Sequence, residues 1–191
     1  LHTMSLAVGA TDLVEDFVGS VVGSDPVGWV DTGAGSSLVA DDALFEVMAV
    51  DGSQVLGTSS AATNIHSHHV GGAWSAASAY GYSGRMQMSS QVGGIGVTFF
   101  SDFDQSDAYY RLRRYGSGGS FRLSPHGTSM SGGVTDSGVV PVANVWYEFR
   151  VEAVDTGSRT EVRVKVWQQG TAEPTGWQID AFDDSAGRLT A

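Results

Sequence analysis

The fold class is decided by Trp146-Tyr147-Glu148-Phe149-Arg150-Val151-Glu152-Ala153 and, beyond the turn Asp155-Thr156-Gly157-Ser158, by Thr160-Glu161-Val162-Arg163-Val164-Lys165-Val166-Trp167. In the first run Tyr147, Phe149, Val151 and Ala153 alternate with Glu148, Arg150 and Glu152. In the second, Thr160, Val162, Val164 and Val166 alternate with Glu161, Arg163, Lys165 and Trp167. Successive side chains of a strand point to opposite faces, so each run has one mainly apolar side and one largely charged side. A helix would space its apolar positions three and four apart. Two such runs joined by a Gly-containing turn predict an antiparallel hairpin.

The same period of two recurs upstream. In Tyr109–Arg114, Tyr110 and Leu112 are expected to point inward and Tyr109, Arg111 and Arg113 outward. Met86 and Met88 share one face of their run while Arg85 and Gln87 share the other. Ile95, Val97 and Phe99 alternate with Gly96, Thr98 and Phe100, and Arg122 lies opposite Phe121 and Leu123. Leu44–Val50 reads as a strand closed by Asp51-Gly52, a strong hairpin signal. Nothing reads as a long amphipathic helix. The prediction is an all-β fold, a two-sheet antiparallel β-sandwich.

Composition sets the outer bounds. A chain of 191 residues with 41% hydrophobic residues can bury one real core, and 26 glycines suit many tight turns. The opening Leu1-His2-Thr3-Met4 reads as a cloning remnant, leaving residues 5–191 as one domain without an internal linker. The net charge of −11, from 21 acidic and 10 basic residues, disfavours nucleic acid or an anionic membrane as a partner. Nine of the basic residues are Arg and one is Lys, and Asp outnumbers Glu fifteen to six. That bias fits either a salty habitat or a GC-rich genome. The absence of cysteine removes disulfides, thiolate metal sites and thiol nucleophiles. No apolar run has the length of a membrane span, and no secretion signal is visible at the amino terminus.

The chain resembles the concanavalin A-like lectin/glucanase superfamily, in particular its laminin-G-like jelly rolls. The resemblance rests on Asp16-Phe17 with Pro26-x-Gly28-Trp29, the hairpin Trp146–Val151, Val164-Lys165-Val166-Trp167, and the tail Glu173-Pro174-x-x-Trp177-Gln178-Ile179 followed by Asp183 and Asp184. It implies two stacked, curved sheets, one of which presents a ligand. It also implies a structural calcium ion tying the early strand to the domain's end, with Asp16 and Asp183 (beside Asp184) as its ligands.

The outward basic residues Arg85, Arg111, Arg113, Arg122, Arg150, Arg163 and Lys165 form a cationic patch if several share a sheet. Gln87, Tyr109 and Trp167 would lie beside them. Guanidinium forks take carboxylate or sulfate in two-point fashion and aromatic faces stack on other groups, which suits an acidic polysaccharide such as a uronate or a sulfated glycan. The alternative is neutralisation by Glu148, Glu152 and Glu161 across the strands. In Ile65-His66-Ser67-His68-His69, His66 and His68 share a face at a spacing open to a metal, or form a polar rim. His126 joins them only if the fold brings it there. Asp102, Asp104 and Asp107 fail the EF-hand order and read as an acidic turn.

Glycoside hydrolysis wants two carboxyl groups about 5–5.5 or 6.5–9.5 Å apart. Glu148 and Glu152 stand ~13 Å apart on an extended strand, and the superfamily's Glu-x-Asp-x-x-Glu strand is missing. A lyase would want a Tyr or His base beside a carboxylate-neutralising Arg or Gln, and Tyr109, His66, Arg111 and Gln87 could supply one. The expectation is a non-catalytic carbohydrate-binding domain, extracellular, secreted or on a virion surface, and part of a larger parent protein. The alternatives are a polysaccharide-degrading hydrolase or lyase, and a structural assembly module of a virion or cell surface.

Overall fold

The computed structural model describes residues 2–5, 13–33, 35, 37–40, 44–70, 78–116 and 118–191. No helix occurs among them. The first half of the chain forms β1 (His2–Ser5), β2 (Leu13–Glu15), β3 (Trp29–Gly33), β4 (Ser37–Ala40), β5 (Glu46–Val50), β6 (Ser53–Gly57) and β7 (Ser67–His69). The second half forms β8 (Ala79–Met86), β9 (Ile95–Phe99), β10 (Tyr110–Tyr115), β11 (Gly118–Leu123) and β12 (Gly132–Val134). It ends with β13 (Tyr147–Asp155), β14 (Thr160–Gln168) and β15 (Ile179–Asp183).

Seven strands make the larger sheet in the order β12-β15-β14-β13-β8-β1-β2, and β11-β10-β9 make a smaller one. Two further pieces, β4-β3-β7 and the hairpin β5-β6, flank them. Neighbouring strands throughout are antiparallel, as their alternating patterns require. The β13–β14 register sets Phe149 opposite Val166, Val151 opposite Val164 and Ala153 opposite Val162. Val162, Val164 and Val166 are fully buried, each contributing about 1.5–3 kcal/mol of transfer free energy.

Those inward faces meet Phe99, Tyr110, Leu112, Phe121 and Leu123 of the smaller sheet in one core. The molecule is therefore an all-β antiparallel sandwich. Because Tyr110 and Phe149 both point into that core, the other faces of β10 and β13 lie on opposite sides of the molecule. This separation decides which functional residues can meet.

Two local features depart from expectation. The segment set apart as a remnant is built into the larger sheet: β1 runs between β2 and β8, with Thr3 opposite both Val14 and Ser83. Its backbone groups complete ladders on two sides; Leu1 lies outside the described residues. Arg114, on the core side of β10, is only 3% exposed. Its guanidinium donates to the Gly93 and Gln91 carbonyls at 2.8 Å and contacts the Met88 sulfur at 3.2 Å, so neutral acceptors meet Nη1 and Nη2 of this buried cation while its Nε has none.

Candidate functional site

The outer face of β10 is roofed by other segments. Tyr109, just before β10, exchanges backbone hydrogen bonds with His126 at 3.0 and 2.9 Å. The two rings stack with centroids 5.3 Å apart and planes at 15°. The chain turns away at Gly127, whose φ of +66° is left-handed; a Cβ there would lie 2.7 Å from the Asp107 carbonyl oxygen and from the Ala108 Cβ. Glycine is what lets the His126 segment close on the loop before Tyr109. Asp107, from that loop, holds His126 Nε2 through its Oδ2 at 2.8 Å.

A second segment approaches from β7. Strand β3 pairs with β7, and Thr32 fixes His66 twice, through its own N–H to the His66 carbonyl at 2.8 Å and through Oγ1 to the His66 N–H at 3.0 Å. His66 and His68, two residues apart, thus face the same way with centroids 5.9 Å apart. His66 Nε2 lies 2.9 Å from the Tyr109 hydroxyl, and His68 stacks on Phe103 at 4.6 Å and 8°. His68 Nε2 is buried without a hydrogen-bond partner.

Burial, joined by the nearby His68, Arg111, His126 and Arg113, pushes the His66 pKa down to about 3. Burial likewise pushes His68 down to about 4, against the opposing pull of Asp107. Both imidazoles are therefore neutral near pH 7. Arg111 Nη1 donates to the Tyr109 oxygen at 3.4 Å. A guanidinium can only donate, so the Tyr109 oxygen accepts from Arg111 while it also bonds His66 Nε2.

Arg111 and Arg113 project from the same face of β10, across from Thr98 and Gly96 of β9. Gly96 is needed at that crossing, since a Cβ would meet the Leu112 carbonyl at 2.2 Å and the Arg113 Cβ at 2.7 Å. Arg111 is 5% exposed, its Nε donating to the Ser124 carbonyl at 3.1 Å. Arg113 lies with its guanidinium carbon 3.3 Å from the centre of the Tyr115 ring, and its buried Nε has no hydrogen-bond partner. Burial lowers the Arg111 pKa; burial and then the charge of Arg111 bring Arg113 down to about 10. Neither guanidinium forms an ion pair with a carboxylate among the described residues.

The remaining expected ligand residues sit elsewhere. Arg85, Arg150, Lys165 and Trp167 occupy the outer face of the larger sheet, on the other side of the core, because they alternate with Met86, Val151 and Val166. Arg85 donates to Ser53 Oγ and covers the Trp146 ring at 4.6 Å, while Gln87 and Trp146 both donate to Asp51 Oδ2. Arg150 and Lys165 share Glu173, and Lys165 lies over Trp177 at 5.0 Å. Arg163 reaches Glu161 and Asp180. On the smaller sheet Arg122 is paired with Asp136 at 2.6 Å. The single cationic patch thus resolves into opposite faces, and Gln87 does not join Tyr109, His66 and Arg111.

Asp16 and Asp183 stand apart in the larger sheet. Asp16 follows β2 and Asp183 ends β15, with four strands between, roughly 24 Å at one strand spacing per step. Asp16 is exposed and accepts the Val18 N–H in its own turn. Asp183 is fully buried and accepts from Tyr110, Thr128, Ser131 and the Ser185 N–H. No group of three or more metal-type side chains gathers among the described residues.

Three contributors escaped the sequence reading in their roles: Phe103 as the cover of His68, Asp107 as the partner of His126, and His126 as the stacking partner of Tyr109. Each contact joins segments separated in sequence, so reading Asp107 as part of an acidic turn and His126 as a conditional neighbour of His66 and His68 did not reveal it. An open polar cleft of about 560 Å³ lined by Ser24, Asp25, Phe45, Glu46 and Ser59 holds none of these residues. No helix among the described residues is long and apolar enough to cross a membrane. No protein-family model, curated protein or solved structure matches the chain.

Proposed function

We propose that the chain is a carbohydrate-binding domain of the concanavalin A-like jelly-roll kind, and that its ligand is an acidic polysaccharide held at the outer face of β10. The observation that carries this is the Arg111–Arg113 pair. Two like charges lie on one strand face, both drawn partly out of water; Asp107 offsets Arg111 only at a distance, and neither guanidinium has an ion-pair partner among the described residues. A carboxylate or sulfate of a ligand would supply that partner at the half-buried Arg113 side chain. Every charge-paired arginine on the other faces lacks that need. Tyr115, exposed beside Arg113, offers an apolar rim to a sugar ring.

The test is retention on immobilised polyuronate and sulfated glycan, compared with their neutral counterparts. Wild type should be retained on the acidic polymers and released by salt. Arg113→Ala should weaken binding about tenfold or more, the scale of one lost charge-assisted hydrogen bond. Equal retention on neutral polymers, or undiminished binding by Arg113→Ala, would overturn the reading.

A further inference from the structure

We infer that the small sheet β4-β3-β7 is an acid-released cover on the outer face of β10: protonation of His66 and His68 detaches it and uncovers Tyr109 and Arg111. The movement needs no ligand and stands apart from the glycan reading above. The first support is how the cover is attached. Strand β7 pairs with β3 over three residues, His69 with Trp29, His68 with Val30 and Ser67 with Asp31, and β4 completes the piece. Among the described residues none of these strands is paired with the larger or the smaller sheet. Side chains fasten the cover instead: His66 Nε2 meets the Tyr109 hydroxyl at 2.9 Å, and the His68 ring lies on Phe103 at 4.6 Å. Losing those two contacts breaks no ladder among β8–β15, so the cover can open locally.

The second support is that neither imidazole is placed to carry a charge. His68 is 8% exposed and its Nε2 has no hydrogen-bond partner. An imidazolium donates from both ring nitrogens, so charging His68 would leave a buried donor unmet against Phe103. The carboxylate that acts on it, Asp107, is engaged by His126 Nε2 at 2.8 Å. The charges acting on His66 are all basic: His68 beside it, Arg111 and Arg113 on β10, and His126 from the loop after β11. Its Nε2 and Arg111 Nη1 meet at one Tyr109 oxygen, so a proton on His66 would set two cations about that atom. Burial, joined at His66 by these like charges, holds the closed rings at about 3 and about 4. His69 is lowered by burial too, but there Glu15 opposes the shift. Rings released to water return to the ordinary 6.5, so the open form binds more protons and gains as the pH falls. The gain begins at 6.5, grows about tenfold per pH unit for each histidine, and ends near the closed-state values.

The experiment is amide hydrogen exchange of the whole chain, read by mass spectrometry from pH 7 to pH 5, with and without sub-denaturing urea. Peptides over residues 65–70 are compared with peptides over β13 and β14, each corrected for intrinsic exchange rates. Protection of 65–70 should fall about tenfold or more between those pH values and depend little on urea, as a local opening does. Protection of β13 and β14 should stay higher at each pH and carry the steep urea dependence of whole-chain unfolding. The double variant His66→Gln with His68→Phe should hold the protection of 65–70 level over the same range. Near-ultraviolet circular dichroism at pH 7 checks that it folds. Where it does not, His68→Phe alone, which keeps a ring against Phe103, should lower the slope relative to wild type. Equal protection and equal urea dependence in the two sets of peptides would mean that the fold opens as one unit, which overturns the cover. Protection of 65–70 that ignores pH also overturns it. So does a wild-type slope in the folded variant, which would assign the acid response to His69, His126 or Asp107.

Discussion

Tyr109 and His126 are joined twice, by a pair of backbone hydrogen bonds and by stacked rings 5.3 Å apart. Gly127 makes that union possible, with a left-handed φ and no room for a Cβ against Asp107 and Ala108. Gly127→Ala is expected to destabilise the fold by about 1–3 kcal/mol, from backbone strain and the forced displacement. Its urea midpoint at pH 7 checks this. An unchanged midpoint would mean that the loop tolerates a wider gap between His126 and Tyr109.

Acid should destabilise the molecule through His66 and His68. Their folded pKa values, about 3 and about 4, lie below the 6.5 of the unfolded side chain. Between those limits the unfolded chain binds more protons, so stability falls as the pH falls. The contribution is complete above 6.5 and is lost progressively on the way down to 3–4, at about 1.4 kcal/mol per pH unit for each histidine. Urea midpoints from pH 7 to pH 5 should drop steeply in wild type. His68→Phe, which keeps a ring against Phe103, should flatten that slope; an identical slope would place the acid sensitivity elsewhere.

The hairpin β13–β14 and the strand β10 were legible because a period of two survives wherever one side of a strand is dry and the other is charged. Tyr110, Leu112, Phe149 and Val164 are buried as that period requires. The same rule misleads on the far side of β10. It assigns Tyr109 and Arg111 to solvent, yet both are buried, because His66, His68 and Phe103 arrive from segments with no apolar period of their own. Alternation tells which side a residue faces and is silent on what comes to cover that side. It also cannot say that Arg111 and Arg150 face away from each other, since strand order across sheets is set by packing of distant runs. The association of Asp16 with Asp183 came from the resemblance alone, and four strands separate β2 from β15.

Asp183 is pushed up by burial, but hydrogen bonds from Ser185, Thr128 and Tyr110 outweigh this and hold its carboxyl below the usual value of 3.8. The Tyr110 hydroxyl donates to Asp183 Oδ2 at 2.8 Å and accepts the Leu189 N–H at 3.2 Å, so one atom ties the core of the smaller sheet to the end of β15 and the tail beyond it. Tyr110→Phe should cost about 1–3 kcal/mol by leaving a buried acceptor and donor short of a partner. The loss should be visible in thermal unfolding at pH 7. A melting temperature equal to wild type would show that water or a shifted Thr128 replaces the hydroxyl.

Removing a guanidinium should have opposite consequences on the two faces. Arg163 lies on the outer face of the larger sheet, 3.6 Å from Glu161 and 3.5 Å from Asp180. Exposed pairs of this kind contribute about 0–1 kcal/mol, so Arg163→Ala should change neither melting temperature nor glycan retention appreciably. Arg113 sits beside Arg111, and burial with that like charge brings it down to about 10 from 12.5. A pKa lowered in the folded state means that the charged form opposes folding at pH 7. After allowance for solvent screening, Arg113→Gln should stabilise the fold by about 1 kcal/mol or less, while retention on acidic polymer is lost. Thermal unfolding and retention measured on the same sample separate the cases. A destabilised Arg113→Gln would show that the guanidinium's contact with Tyr115 outweighs its charge, making the pair a packing device rather than a ligand site.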